Sequence, residues 1–251
     1  MSLLTIALLF LAGLFAGAIN AVAGGGTFIS FGAFSLIGMP PVVANASSSI
    51  AQLPGYVTST LPYLKDIRTL WRGLILLAIA SMAGAVIGSS ILLWLDNDRF
   101  RVMVPWLLLA ATALFAAGPW LKPRRAHEKT AEKGRNYSGP IVQFLGSIYG
   151  GFFGAGMGIM MLATLGLTES GDYHRLNAIK NVLSNVIAVV AIAVFATGGV
   201  IDWAGALAMA PGIALGGFSG VWIAKRVPQI AVRLFVIAFG VFLAGYYFVT
   251  G

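Results

Sequence analysis

The chain has 251 residues, of which 59% are hydrophobic and only 10% charged, with a mean hydropathy of +0.90. No water-soluble fold can carry that much apolar surface, so the composition excludes a soluble domain and points to a polytopic helical membrane protein. The net charge of +8 would suit nucleic acid, but the basic residues lie at helix ends and in one loop, where the anionic inner leaflet is the nearer partner; no nucleic acid is expected.

Apolar stretches of spanning or near-spanning length predict helices at about 3–22, 41–62, 71–94, 100–121, 141–157, 176–197, 203–224 and 230–250, against the roughly 20 residues that a bilayer crossing needs. The first ends in Ala21-Val22-Ala23, like a signal-peptidase site. No Lys or Arg precedes its apolar run, so it reads as a retained helix.

That helix leads into Asn20 and then Gly24-Gly25-Gly26-Thr27. Consecutive glycines cannot serve helix stability, since each costs about 1 kcal/mol relative to Ala. They expose backbone. A helix restarting after the break, with Thr27 as its expected cap, would aim free N–H groups and a positive dipole end forward, an arrangement that suits an anion. After the turn at Met39-Pro40-Pro41, the next helix carries a polar stripe of Asn45, Ser48, Ser49 and Gln52. Trp71 and Trp94 are then expected to bracket one long helix as interfacial aromatics, and Trp203 and Trp222 another.

The basic stretch at 122–139 reads as a cytoplasmic linker between repeats at 1–121 and 140–251. Beyond it the glycine break returns as Gly154-Ala155-Gly156-Met157-Gly158, followed by Asn177, Asn181 and Asn185 at i, i+4 and i+8 on one helix face, with Lys180 beside them. Lys180 is either a snorkelling topology residue or an electrostatic attractor of an anion. The asparagines either bind substrate or bond between helices. Gly84, Gly88, Gly216 and Gly220 read as small residues for helix packing.

A single ungapped offset of 132 residues superimposes these features: Gly24 on Gly156, Gly26 on Gly158, Asn45 on Asn177, Trp71 on Trp203 and Arg101 on Arg233. This is an internal duplication, each half having four long transmembrane helices and one short segment, at 28–38 and at 159–167. If the short segments re-enter, the halves are parallel; if they cross, the halves are inverted. Five crossings per half place 14 of the 16 basic residues in the cytoplasm, leaving only Arg99 and Arg101 outside. The positive-inside rule therefore favours inverted repeats with both termini outside.

The acidic residues all fall in loops or at helix ends, which disfavours cation transport. Glu169, Asp172 and His174, at the loop after the second short segment, read first as solvated loop residues, and are where a proton-coupled step would sit if there is one. With no Cys and two His residues outside the apolar segments, neither metal nor cofactor is expected. Nor does the sequence contain an enzyme constellation.

The runs Gly17-Ala18-Ile19-Asn20-Ala21-Val22-Ala23-Gly24-Gly25-Gly26-Thr27-Phe28, Gly38-Met39-Pro40-Pro41, Ala44-Asn45-Ala46, Gly154-Ala155-Gly156-Met157-Gly158 and Asn177-Ala178-Ile179-Lys180-Asn181 resemble the TauE/SafE family of sulfite exporters over nearly the whole chain. The resemblance implies a secondary transporter of small sulfur-containing or organic anions, such as sulfite or sulfoacetate, acting mostly outwards across the bacterial inner membrane.

The expected substrate site joins Asn20, Gly24, Gly25, Gly26, Thr27, Asn45, Ser48, Ser49 and Gln52 to Gly156, Gly158, Asn177, Lys180, Asn181 and Asn185. Its partners would be the anion, the bilayer and a coupling proton or ion, with a homodimer left open. A passive anion channel and a non-transporting assembly subunit are the alternatives.

Overall fold

The computed structural model describes residues 1–23, 25–117, 138–169, 173–223 and 229–250. These form ten α-helices and no strand: α1 (Leu3–Ala23), α2 (Gly26–Leu36), α3 (Pro41–Thr60), α4 (Leu64–Trp94), α5 (Asn97–Ala117), α6 (Ser138–Phe152), α7 (Met157–Thr168), α8 (Tyr173–Thr197), α9 (Trp203–Ile223) and α10 (Gln229–Thr250). Five of them, α1, α4, α5, α8 and α10, are long and apolar enough to cross a membrane by length and composition, and α2 and α7 are short apolar helices. The chain is an all-α polytopic membrane protein.

Burial follows the logic of a lipid-facing surface. Leu3, Trp94, Leu167, Phe218 and Val249 are exposed, while Ser30, Asn45, Ser47, Gln52, Ser81 and Gln143 are buried. Polar side chains are kept from lipid and hydrogen-bond between helices: Gln143 Nε2 on α6 donates to Ser81 Oγ on α4 at 2.9 Å and to Ser147 Oγ at 3.1 Å.

Several boundaries differ from the sequence expectations. The helix expected to open at Trp71 begins at Leu64, leaving Trp71 in its second turn. A short 3-10 turn at Leu61–Tyr63 joins it to α3, so the chain hardly breaks there. The polar residues before Trp71 face outward on a continuing helix rather than ending it. Helix α6 opens at Ser138, two residues inside the stretch read as linker. Residues 122–137 of that linker lie outside the described residues, as do Gly24 and Asp172.

The 132-residue offset sets each helix of the first half against one of the second. Counterparts stand five helices apart, and the packing of α1 on α9 is matched by that of α6 on α4. In the first pair, Gly13 lies against Met209 and Gly17 against Ile213 and Gly217; in the second, Gly84 lies against Phe144 and Gly88 against Ile148 and Phe152. Both pairs run parallel, with small residues admitting the backbone of the partner.

Two helices pack on their own counterparts. Between α3 and α8, Ser59 meets Asn181 and Tyr56 meets Asn185, and Tyr63 of the following 3-10 turn meets Asn177. Between α5 and α10, Trp106 meets Phe248 and Ala116 meets Arg233. Both of these pairs run antiparallel.

The short helix α2 follows α10 in the same direction. Gly25 lies beside Val236, Gly32 beside Phe239 and Leu243, and Ser35 beside Tyr247. It therefore ends near the start of α5, where the α2–α3 turn meets Asn97.

Candidate functional site

The two glycine breaks have different local geometry. At the first, α2 is capped by Gly25 (φ −101°) without a side-chain hydrogen bond. Thr27, expected to be the cap, instead lies within the first turn of α2. Gly26 is forced to be small by Ala16 and Asn20 of α1. At the second break, Gly154 (φ +72°) and Gly156 (φ +73°) take left-handed backbone, and Gly156 caps α7. That region penalises any residue with a Cβ, which is why the sequence spends glycine there. Tyr149 OH donates to the Ala155 carbonyl at 2.6 Å and ties down the intervening loop.

Asn45 on α3 crosses to this second break. Its Nδ2 donates at 3.0 Å to the carbonyl of Phe152, the last residue of α6. That oxygen is one of the terminal carbonyls a helix leaves without an internal partner. Aromatic rings close the region: Phe31 of α2 sits edge-on to Phe153, with centroids 5.4 Å apart, and Phe100 sits edge-on to Phe152 at 5.7 Å.

Between the breaks lies a small, partly open cavity of about 20 Å³, the space of one water molecule. Thr27, Ser49, Gln52 and Tyr56 line it from the first half, and Gly150, Gly154 and Ile187 from the second. Gln52 is fully buried. Its Nε2 donates to Ser30 Oγ at 3.1 Å, and Ser30 shares a 2.8 Å hydrogen bond with Ser48. Gln52 Oε1 has no hydrogen-bond partner among the described residues. A buried polar atom left so is costly and marks a place where something polar can dock.

The remaining expected site residues are distributed more widely. Asn177 Nδ2 donates to Tyr63 OH at 2.9 Å, Asn181 Nδ2 to the Ser59 carbonyl at 2.8 Å, and Asn185 Nδ2 to Thr60 Oγ1 at 2.8 Å and the Tyr56 carbonyl at 3.1 Å. This stripe binds α8 to the end of α3 and the 3-10 turn after it, and Asn185 Oδ1 has no hydrogen-bond partner among the described residues. Lys180 lies with its stem over Gly158 at the start of α7; it is not part of the cavity wall. Asn20 and Gly26 stand where α2 abuts α1.

Tyr56, Ser30 and Ile187 were not among the expected residues. Tyr56 had a signal: Asn45, Ser49, Gln52 and Tyr56 follow one another at i, i+4, i+7 and i+11 on a single helix face. Among the described residues there is no group of His, Cys, Asp and Glu able to hold a metal ion.

Apolar side chains facing outward on helices long enough to span a bilayer, with polar side chains buried between them, mark an integral membrane protein. The chain belongs to the family described as "Sulfite exporter TauE/SafE", which matches residues 9–247. It is 30% identical, over 92% of its length and 90% of the relative's, to a Haemophilus influenzae protein described as a "Probable membrane transporter protein". A Sinorhizobium protein described as "Probable membrane transporter protein ORF9" is 28% identical over 88% of this chain and 82% of its own. The Escherichia coli "Probable membrane transporter protein YfcA" is 23% identical over 86% and 80%.

Proposed function

We propose that this protein exports small sulfur-containing or organic anions, such as sulfite or sulfoacetate, across the bacterial inner membrane by alternating access. The observation that carries this reading is the small cavity between the glycine breaks, lined by Gln52, whose amide oxygen has no hydrogen-bond partner among the described residues. At about 20 Å³ it is too small for a four-atom oxyanion, as expected of a resting state that must rearrange to load. Rotated by half a turn, the Gln52 amide presents N–H groups to an anion in place of the oxygen.

The helix directions support an inverted pair of repeats. A rotation that carries a helix onto an antiparallel counterpart has its axis across the helices, hence in the membrane plane, and both α3–α8 and α5–α10 are antiparallel pairs. In such transporters the site lies where the broken helices of both repeats meet, and rocking of one half against the other exposes it to each side in turn. The Asn177–Asn181–Asn185 contacts between the halves are then the hydrogen bonds such rocking has to exchange. Lys180, which makes no hydrogen bond or ion pair with another described residue, supplies positive charge on the linker side of the cavity.

Reconstitution into vesicles tests the reading. Efflux of labelled sulfite or sulfoacetate should saturate with concentration and fall at least tenfold in Gly25→Val, whose side chain would strike Val236 and Phe115, and in Asn177→Ala. Absence of flux for every small anion, or flux indifferent to both substitutions, overturns it.

A further inference from the structure

A second cavity lies at the end of the molecule away from Ala117 and Ser138. It is a partly open cleft of about 300 Å³ between the α2–α3 turn, the start of α5 and the end of α10, the lower end of the range that holds small ligands. Arg101 lines it, exposed, and makes no hydrogen bond or ion pair with another described residue. Its counterpart at the 132-residue offset, Arg233, is used differently: the Arg233 guanidinium donates to the Ala116 carbonyl and satisfies the end of α5. One arginine of the pair is consumed by the fold; the other faces a cavity.

Asn97 stands in the same wall, and its Oδ1 accepts the Val42 N–H at 3.2 Å, which leaves its Nδ2 as a free donor. Tyr247 is locked, its OH donating to Ser35 Oγ at 2.9 Å. Tyr246 adds a hydroxyl, and Asp98 a carboxylate.

We propose that this cavity is a second anion site, an outer vestibule in which the guanidinium of Arg101 and the amide of Asn97 hold the small oxyanion between the midplane and the aqueous phase. Asp98 keeps the net charge of the vestibule near zero, so the anion is held weakly enough to leave, the condition any conducting site has to meet. The proposal rests on the reading of the chain as an anion transporter and places a step of that cycle on residues outside the midplane site.

The test uses the full chain in vesicles, with orientation established by trypsin cleavage of the basic linker, and in detergent. Labelled sulfite is presented from each side to wild type, Arg101→Gln, Arg101→Lys and Asp98→Asn. The expected result is a rise of about tenfold in KM for Arg101→Gln from the side away from the linker, little change from the linker side, partial recovery in Arg101→Lys and a lowered KM in Asp98→Asn. Unchanged KM values from both sides in a well-folded Arg101→Gln overturn the vestibule while leaving transport intact. Should wild type carry no sulfite at all, the transport reading falls. The vestibule is then judged by sulfite-induced thermal stabilisation in detergent, which must be present in wild type and lost in Arg101→Gln.

Discussion

Asn45 donates its side-chain Nδ2 to the carbonyl of Phe152 at 3.0 Å, although the two residues stand 107 positions apart. The polar stripe of the first half thereby holds the glycine break of the second. The two halves are not merely stacked: a residue of one closes the helix end that shapes the other's part of the cavity.

Asn45→Ala should strand a buried carbonyl and cost about 1–3 kcal/mol of stability. Thermal unfolding in detergent measures that cost. Because the freed carbonyl lies at the break, transport should fall further than the loss of folded protein accounts for.

Two glycines of the same region should respond oppositely to alanine. Gly156 has room for a methyl group, the nearest atom lying 3.6 Å from its would-be Cβ, but its φ of +73° does not suit one; Gly156→Ala should destabilise by about 1–2 kcal/mol. Gly146 lies within helix α6 with equal room, 3.6 Å from Met160 Cε. Gly146→Ala should be neutral or stabilising by up to about 1 kcal/mol. Paired unfolding curves check both, and a reversed order would contradict the backbone assignment.

Gln52→Leu separates site from scaffold. It removes an unpartnered buried oxygen together with a single hydrogen bond to Ser30, so stability should change by no more than about 1 kcal/mol. Anion flux should nevertheless drop at least tenfold. Retention of wild-type flux would remove Gln52 from the site.

Much of this arrangement was legible in the sequence, and the limits were physical. Glycine runs marked both breaks because each glycine weakens a helix. What periodicity on one helix could not reveal is the partner across the interface. The Asn177, Asn181 and Asn185 face was visible, but its acceptors on α3 and the 3-10 turn after it lie 114 to 129 positions away. Thr27 illustrates a second limit: Ser and Thr favour the cap position, yet Gly25 already supplies that turn, and Thr27 is left to face the cavity. Arg101 and Arg233 looked equivalent, and only the folded chain gives one of them a carbonyl.

Glu169, which follows α7, is half-buried, and burial raises its carboxyl above the ordinary 4.5 while the charge of Arg175 pulls it down. The folded chain thus holds this proton more tightly than the unfolded chain. Its contribution favours folding below the unfolded value and is lost as pH rises through the raised folded one. Melting temperatures measured from about pH 4 to about pH 8 should decline less steeply in Glu169→Gln than in wild type.

Counterflow tests the central claim most directly. Vesicles loaded with unlabelled sulfite and diluted into a trace of labelled sulfite should accumulate label transiently above equilibrium, since a carrier that exposes one site to each side in turn exchanges one anion for another. The overshoot should vanish in Gln52→Leu. Label that merely equilibrates, at a rate linear in concentration and without overshoot, would contradict alternating access around this cavity.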